Sequence, residues 1–265
     1  MKKYLVIGNP ISHSLSPKLH NYWIKKNNIN AVYEKKKVNE KNLESIICQI
    51  KNKNIQGINV TVPFKNVIIP YLDLLSPEAN ATQSVNTVYL NGDKVVGHNT
   101  DIAGFELSLK KIKYDVNNKK VLILGSGGVV PSIIFALYKM KVSLITVCNR
   151  TRKKAENLKK RFKDIIITDW GNISNFDLII NATSVGLHKD DKINLDFSQI
   201  DKNKLFYDVI YNPEETDFLR KGKQLGNITE NGKMMFIYQA HQAFTLWHKL
   251  MPEINDELKK VLSND

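Results

Sequence analysis

The chain has 265 residues, which is long enough for one large domain or for two modest domains with their own cores. Its hydrophobic content of 42% and charged content of 25% are ordinary for a soluble globular protein, and no apolar run approaches the length of a transmembrane helix. The net charge of +13 comes from lysines scattered through helix-like stretches, without a one-sided patch or interleaved aromatic residues. We therefore expect no nucleic-acid partner and no membrane partner. Most of these charges are expected to lie on solvated faces, and a minority to attract small anionic ligands.

The two cysteines, Cys48 and Cys148, are far apart and neither belongs to a CxxC pair, so the sequence predicts no metal site and no redox motif. Cys148 lies in an apolar, strand-like run and is expected to be buried. The apolar run before Gly8 is too short for the hydrophobic region of a signal peptide. These features predict a protein of the reducing cytoplasm, either a monomer or a homodimer.

In the first hundred residues, short apolar runs alternate with longer charged segments. Strands are predicted at 3–8, 31–38 and 55–62, and a helix at 40–52. Ser16 followed by Pro17 predicts a helix start, with a capping residue and then proline at the first helical position. Residues 85–90 and 94–98 flank the turn sequence NGD and predict a β-hairpin. This part ends near Asp101.

From Lys119 onward, apolar runs without alternation are separated by helices, which is typical of a parallel sheet covered on both faces. Strands are predicted at 119–125, 143–149, 165–168, 176–181 and 205–210, and helices at 129–140 and 152–162. The stretch 233–262 is largely helical, with a break at Pro252. We expect an α/β protein with a first domain at 1–101, completed by 238–265, and a second domain at 102–237.

The sequence VLILGSGGVVP places Gly125, Gly127 and Gly128 between a strand and a helix. Glycines there permit a tight turn and let backbone N–H groups and the helix N-terminus approach a pyrophosphate. Val130 occupies the place where a small third residue is usual. The pattern indicates a dinucleotide site, and the alternative is an ordinary glycine turn of an α/β domain.

The next strand ends in a basic sequence, NRTRKKA, which begins at Asn149. An NAD enzyme tends to place an acid here, roughly 20 residues after the first glycine, to bind the ribose 2′-OH. This chain has no acid until Glu156, and Arg150 can bind a 2′-phosphate with its guanidinium fork. The sequence therefore favours NADP over NAD, and the alternative is a basic first turn on a surface helix. NATSVG (181–186) follows another strand with small and hydroxylic residues that suit close passage of a cofactor.

Polar residues also follow the strands of the first domain. Ser14 and Ser16 in GNPISHSLSPKLHN lie next to a helix start, where two hydroxyls and free N–H groups could bind a carboxylate. The alternative is a capping serine and a loop serine. Asn86 in SVNT, with Asn99, Thr100 and Asp101 in HNTD, is typical of the rim of a pocket for a polyol.

The sequence NVTVPFK ends in Lys65, just past a predicted strand. In a chain with 39 Lys and Arg residues, such a lysine could be a solvated surface charge. It could also donate a proton to a carbonyl oxygen and stabilise the alkoxide that develops there.

The chain contains, in this order, GNPISHSLSPKLHN, NVTVPFK, SVNT, NTD, the glycine-rich turn, NRT, NATSVG, YDVIYNP and ENGKMM…QAHQAF. Together these motifs resemble the shikimate dehydrogenase family, NADP-dependent enzymes that reduce 3-dehydroshikimate in aromatic amino-acid biosynthesis. The resemblance spans about residues 4 to 250. It implies an N-terminal α/β substrate-binding domain, a Rossmann-type doubly wound NADP-binding domain and C-terminal helices that return to the first domain.

The resemblance implies that the substrate is bound by Ser14, Ser16, Thr61, Lys65, Asn86, Asp101, Tyr211 and Gln239. Lys65 and Asp101 would be the catalytic pair. Ser14 and Ser16 would bind the carboxylate, with Tyr211 nearby.

It also implies NADP as the cofactor, bound by Gly125, Ser126, Gly127, Gly128, Val129, Asn149, Arg150, Thr151, Lys154, Val209 and Gly232. The glycines would hold the pyrophosphate, and the 2′-phosphate would be held by Asn149, Arg150, Thr151 and Lys154. Gly232 would lie by the nicotinamide.

Three places depart from the family pattern. Ile102 follows NTD where glycine is common, residues 129–131 replace small residues after the glycines, and Met234 stands where a second glycine often follows Lys233. None of these changes removes a catalytic group. Two other functions stay open: a quinate/shikimate dehydrogenase with relaxed cofactor use, and an inactive cofactor-sensing binding protein.

Overall fold

A computed structural model describes residues 1–188 and 190–263. The chain divides into two compact units. Unit 1 comprises Met1–Gly104 and Ile237–Asp265, and unit 2 comprises Phe105–Phe236.

Unit 1 contains a six-stranded mixed sheet. Its strands are β1 (Lys2–Gly8), β2 (Ala31–Lys37), β3 (Gly57–Val60), β4 (Leu74–Leu75), β5 (Thr87–Asn91) and β6 (Lys94–His98), in the order β2-β1-β3-β5-β6-β4. Strands β1, β2 and β3 run parallel, whereas β5 is antiparallel to both β3 and β6. The predicted hairpin is confirmed. Three strand ends therefore lie together at one end of the sheet: the carboxyl ends of β3 and β6 and the start of β5. There, Asn59 is paired with Thr87, and Thr87 with His98.

The helices of the N-terminal part of unit 1 are α1 (Ser16–Lys26), α2 (Leu43–Lys51) and α3 (Pro77–Thr82). Helix α2 buries Leu43, Ile46, Ile47 and Ile50, a spacing that forms one apolar face. The helix predicted at 40–52 is thus found as a 3₁₀ turn at Glu40–Asn42 followed by α2.

Helix α4 (Asp101–Lys111) contains the first boundary between the units, and α8 (Lys233–His248) contains the second. The last helix, α9 (Asp256–Ser263), packs against α1, and the indole N–H of Trp23 donates to the Glu253 carbonyl oxygen at 2.9 Å. The predicted break at Pro252 lies between α8 and α9. The C-terminal segment therefore completes unit 1.

Unit 2 contains a six-stranded sheet in which every strand is parallel to its neighbours. Its strands are β7 (Lys120–Leu124), β8 (Leu144–Cys148), β9 (Ile166–Thr168), β10 (Leu178–Asn181), β11 (Leu205–Asp208) and β12 (Ile228–Glu230). The order β12-β11-β10-β7-β8-β9 reverses direction between β7 and β10. Ligands of doubly wound sheets bind at the carboxyl ends of the strands at such a switch point. The predicted Rossmann-type fold is confirmed.

Three further helices of unit 2 are α5 (Val130–Lys139), α6 (Arg152–Arg161) and α7 (Asp217–Gln224). The apolar residues of β7 and β10 are completely buried, which explains why these strands show no alternation in sequence. Cys148 at the end of β8 is buried, as predicted. Within residues 1–188 and 190–263, no helix has the length and apolar character needed to cross a membrane.

Candidate active site

Lys65 and Asp101 form a partly buried ion pair in unit 1. The Lys65 Nζ lies 2.6 Å from Asp101 Oδ2, and the two side chains are only 12% and 8% exposed. Lys65 follows β3 in the chain, and Asp101 is the first residue of α4. The structure thus brings these two predicted residues together, and the alternative of Lys65 as a solvated surface charge is wrong.

The local structure after β3 explains how Lys65 is held. The Phe64 N–H donates to the Thr61 carbonyl oxygen at 2.9 Å, and the Phe64 ring is buried in the core of unit 1. The Val85 N–H then donates to the Lys65 carbonyl oxygen at 2.7 Å. An aromatic anchor and two backbone hydrogen bonds therefore fix the segment that carries Lys65 after the end of β3.

Asn86 orients the carboxylate of the pair. Its amide Nδ2 donates to Asp101 Oδ1 at 2.8 Å, and its Oδ1 accepts from the Thr100 N–H at 2.8 Å. The Asp101 N–H donates to Asn99 Oδ1 at 3.1 Å. Asn86 Nδ2 also lies 3.4 Å from the Gln239 Oε1 acceptor on α8. The structure therefore assembles the predicted rim residues of SVNT and HNTD around the Lys65–Asp101 pair, together with Gln239.

The serine loop adopts a different capping arrangement from the predicted one. Helix α1 begins at Ser16 itself, with Leu15 as its N-cap and no side-chain capping bond from Leu15. The Ser16 N–H donates to Ser14 Oγ at 3.3 Å, so a loop serine satisfies the N–H of the first helical residue. The interpretation of Ser16 as the capping residue is wrong, because Ser16 already lies in the first turn.

Sequence analysis did not single out Tyr33, Asn59 and Thr87, which are all buried. The Tyr33 hydroxyl donates to Asn59 Oδ1 at 2.7 Å, and Asn59 Nδ2 donates to Thr87 Oγ1 at 3.1 Å. Asparagine is disfavoured inside a β-strand. Asn59 in the β3 sequence GINV was therefore the one feature of the sequence that could have pointed to this group of residues.

The glycine-rich turn of unit 2 follows β7. Gly125 has φ +109°, and a Cβ atom there would lie 2.8 Å from the Ala182 carbonyl oxygen, so only glycine fits without strain. Gly127 and Gly128 are exposed. Helix α5 starts directly afterwards, and its N-cap, Val129, supplies no side-chain hydrogen bond. The backbone N–H groups of this turn and helix start are suited to an anion such as a pyrophosphate.

The departures from the family pattern in this turn are accommodated in the interior. Val130 is completely buried, and Pro131 occupies the start of α5, where a missing N–H costs no helical hydrogen bond.

The basic segment follows β8, beside the glycine-rich turn, because β7 and β8 are paired. Arg152 forms ion pairs with Glu156, at 3.0 Å, and with Asp169. Arg150 and Lys154 are exposed, and neither has an ion-pair partner among the residues that the structure describes. Thr151 is the N-cap of α6, but its hydroxyl makes no capping bond. This strand end therefore offers two cations, a hydroxyl and a helix N-terminus.

A buried carboxylate supports the loops after β10 and β11. Asp208 accepts from the Thr216 hydroxyl at 2.6 Å, from Asn181 Nδ2 at 3.1 Å and from the Ile210 N–H at 3.0 Å. Burial raises the pKa of Asp208 to about 6, although these hydrogen bonds oppose the shift. Asn181 Oδ1 in turn accepts from the Thr183 N–H and hydroxyl. The sequence NATSVG thus forms a loop held by side chains.

Three other predicted site residues belong to unit 2: Val209 and Gly232, predicted for the cofactor, and Tyr211, predicted for the substrate. The Val209 N–H donates to the Asn181 carbonyl oxygen at 3.0 Å. Gly232 lies against this segment, and a Cβ atom on it would be 2.1 Å from the Val209 carbonyl oxygen. The Tyr211 ring stacks on Phe236 with centroids 4.5 Å apart. Among the described residues, no three His, Cys, Asp or Glu side chains are grouped to hold a metal ion.

Models of known protein families match the two units of the chain separately. A family model described as the shikimate dehydrogenase substrate binding domain matches residues 6–88, and one described as shikimate / quinate 5-dehydrogenase matches residues 106–213. A protein of Pelagibacter ubique named shikimate dehydrogenase (NADP(+)) is 57% identical over 261 residues, covering 98% of each chain. The chain belongs to the shikimate dehydrogenase family.

Solved structures agree with this assignment. Shikimate dehydrogenase from Aquifex aeolicus has a TM-score of 0.90 at 34% identity, covering 100% of this chain and 98% of that one. Shikimate 5-dehydrogenase from Thermus thermophilus in complex with NADP(H) and shikimate has a TM-score of 0.89 at 29% identity, covering 98% of each. The family and the fold predicted from the motifs are confirmed.

Proposed function

We propose that the chain catalyses the reversible NADPH-dependent reduction of 3-dehydroshikimate to shikimate, a step of aromatic amino-acid biosynthesis. The observation that carries this proposal is the Lys65–Asp101 pair, buried and oriented by Asn86, in a member of the shikimate dehydrogenase family. Relatives named as NADP(+)-dependent and a structural neighbour in complex with NADP(H) and shikimate support the activity and the cofactor.

Lys65 acts as the proton donor to the carbonyl oxygen of the substrate. Its ammonium also stabilises the alkoxide that develops there, and a partly buried charge does this more effectively than a solvated one. Asp101 positions the ammonium through the 2.6 Å contact and accepts a hydrogen bond from a ring hydroxyl. Asn86 keeps the carboxylate in this orientation.

The remaining polar residues of the site bind the substrate. Ser14 and Ser16 donate to its carboxylate near the start of α1, where the helix dipole favours negative charge. Thr61, Asn86 and Gln239 bind the ring hydroxyls. Tyr211 serves the carboxylate end.

The glycine-rich turn holds NADPH by its pyrophosphate, and NADPH, when bound, supplies the hydride. Gly125, Ser126, Gly127, Gly128 and Val129 contribute backbone N–H groups and a surface without obstructing side chains.

The segment after β8 selects the phosphorylated cofactor. Arg150 and Lys154 provide positive charge for the 2′-phosphate, and Asn149 and Thr151 contribute polar groups beside it. Val209 and Gly232 flank the nicotinamide.

The functional division of the chain is 1–101 with 238–265 for substrate binding and 102–237 for NADP binding. We assign the protein to the cytoplasm, acting on a small-molecule substrate as a monomer or homodimer without a nucleic-acid partner. Quinate with NAD is the less favoured alternative because no acid stands at 149–154. An inactive binding protein is disfavoured by the intact Lys65–Asp101 pair.

The test is product identification. The purified protein, incubated with NADPH and 3-dehydroshikimate, is expected to yield shikimate, detected by NMR, and Lys65→Ala is expected to yield almost none. A folded wild-type protein that forms no shikimate would contradict the proposal.

A further inference from the structure

Unit 1 contains a buried chain of hydrogen bonds that runs beyond the residues assigned above. It starts at Tyr33 on β2, whose side chain is 1% exposed. The Tyr33 hydroxyl donates to Asn59 Oδ1 on β3 at 2.7 Å. Asn59 uses its Nδ2 hydrogens for the Asn86 carbonyl oxygen and for Thr87 Oγ1, each at 3.1 Å.

This series of hydrogen bonds continues to the Lys65–Asp101 pair. The Thr87 hydroxyl donates to Asn86 Oδ1 at 3.1 Å. Asn86 Nδ2 donates to Asp101 Oδ1, and the other oxygen of Asp101 contacts Lys65. Every step from Tyr33 to Asp101 therefore joins two buried polar groups.

A tyrosine hydroxyl has one hydrogen. The Tyr33 hydroxyl gives this hydrogen to Asn59 Oδ1. Burial raises the pKa of Tyr33 well above its usual value, so the hydroxyl keeps its hydrogen and stays a donor at neutral pH.

The surroundings of Tyr33 fix its hydroxyl in space. Its ring stacks on the His20 ring, with centroids 4.2 Å apart and an interplanar angle of 4°. Its backbone N–H donates to Asn21 Oδ1 at 2.9 Å, and its carbonyl oxygen accepts from Asn21 Nδ2 at 2.8 Å. The Tyr33 hydroxyl is thus held in place against the Asn59 amide, which leads to Asp101.

We propose that Tyr33 is a positioning residue of the reaction, acting through Asn59, Thr87 and Asn86 on Asp101. This inference rests on the proposed function. It predicts that Tyr33 influences the chemical step, although its hydroxyl is buried away from solvent.

The test replaces Tyr33 by phenylalanine, which removes one oxygen atom and keeps the ring that stacks on His20. Asn59 Oδ1 loses its donor, so we expect kcat to fall about tenfold while KM for shikimate stays near wild type. KM for NADP+ should stay unchanged, because the proposed cofactor residues belong to unit 2.

A matched control is Tyr114→Phe in unit 2, where the hydroxyl donates to the Asp177 carbonyl oxygen at 2.7 Å. It removes a hydrogen bond of the same length and should leave KM for shikimate and kcat unchanged. Equal kinetic effects of the two substitutions, or a Tyr33→Phe protein with wild-type constants, would overturn the inference.

Thr87→Val provides a second test of the inference if Tyr33→Phe does not fold. Valine matches threonine in shape but cuts the step from Asn59 to Asn86 Oδ1, so kcat should fall while KM for shikimate stays near wild type. Unchanged kcat in this variant would contradict the inference. Turnover of shikimate by the wild type decides the proposed function separately, and a wild type without turnover would overturn both.

Discussion

The Lys65 ammonium lies 2.6 Å from Asp101 Oδ2, while the second oxygen of the same carboxylate accepts from Asn86 Nδ2 at 2.8 Å. Both oxygens of the Asp101 carboxylate are therefore engaged, so the carboxylate cannot rotate freely. This fixed carboxylate orients the Lys65 ammonium. A lysine placed in this way keeps N–H groups for a substrate oxygen.

Lys65→Ala should lower kcat by about 10²- to 10⁴-fold, the usual contribution of a positioned acid, with a modest change in KM for shikimate. Steady-state kinetics at 340 nm measure both constants. Lys51→Ala is a suitable control, since Lys51 forms an exposed 3.0 Å pair with Asp73 in the same unit and should have wild-type kinetics. A large rise in KM with kcat intact would make Lys65 a binding residue instead.

Arg150→Ala and Lys154→Ala should each raise KM for NADP+ about tenfold, because each removes a charged hydrogen-bond donor from the 2′-phosphate. KM for NAD+, which lacks that phosphate, should not change. Lys159→Ala, an exposed lysine in the last turn of α6, serves as the control. Equal losses with the two cofactors would show that these residues do not read the phosphate.

Asp208 should make the stability of the protein depend on pH. Burial raises its pKa from 3.8 to about 6 in the folded state. The contribution of this shift to the free energy of unfolding is therefore present at low pH, below 4, and is lost as the pH rises through 6. Relative to Asp208→Asn, the wild-type free energy of unfolding should fall by about 2 kcal/mol between pH 4 and pH 7. Urea unfolding of both proteins at each pH measures the difference, and a difference independent of pH would contradict the assignment.

Gly232→Ala should destabilise the protein, because the new Cβ would lie 2.1 Å from the Val209 carbonyl oxygen and force the backbone apart. We expect a loss of about 2 kcal/mol in the free energy of unfolding, measured by urea titration. Gly127→Ala is the matched control. Its Cβ would be 3.8 Å from the nearest atom, the Ala182 carbonyl oxygen, so its stability should be close to wild type. Similar stability of the two variants would refute the steric argument.

The parallel sheet of unit 2 could be predicted because buried strands leave apolar runs without alternation, as in β7 and β10. Strands β4 and β12 could not. Leu74–Leu75 has two residues, and Ile228–Glu230 is a short edge strand whose Ile228 is half exposed, so neither produces a periodic signal.

The Lys65–Asp101 pair could be expected because the motifs NVTVPFK and NTD resemble those of the family, and the resemblance implies this pair. The role of Tyr33 could not, because β2 reads AVYEKKK and its four final residues are exposed. The Tyr33 hydroxyl donates to Asn59 on the separate strand β3, so only the tertiary structure reveals this contact. Likewise, the start of α1 at Ser16 rather than after it depends on the conformation of Leu15, which the sequence does not specify.

The most direct test of the account is turnover measured at 340 nm, with shikimate and quinate each offered with NADP+ and NAD+. We predict that shikimate with NADP+ exceeds every other pair in kcat/KM by about tenfold or more, which corresponds to about 1.4 kcal/mol of discrimination. Preferred turnover of quinate with NAD+ would contradict the assignment of Arg150 and Lys154 to a 2′-phosphate. No turnover of any pair by the folded protein would contradict the assignment of Lys65 and Asp101 as a catalytic pair.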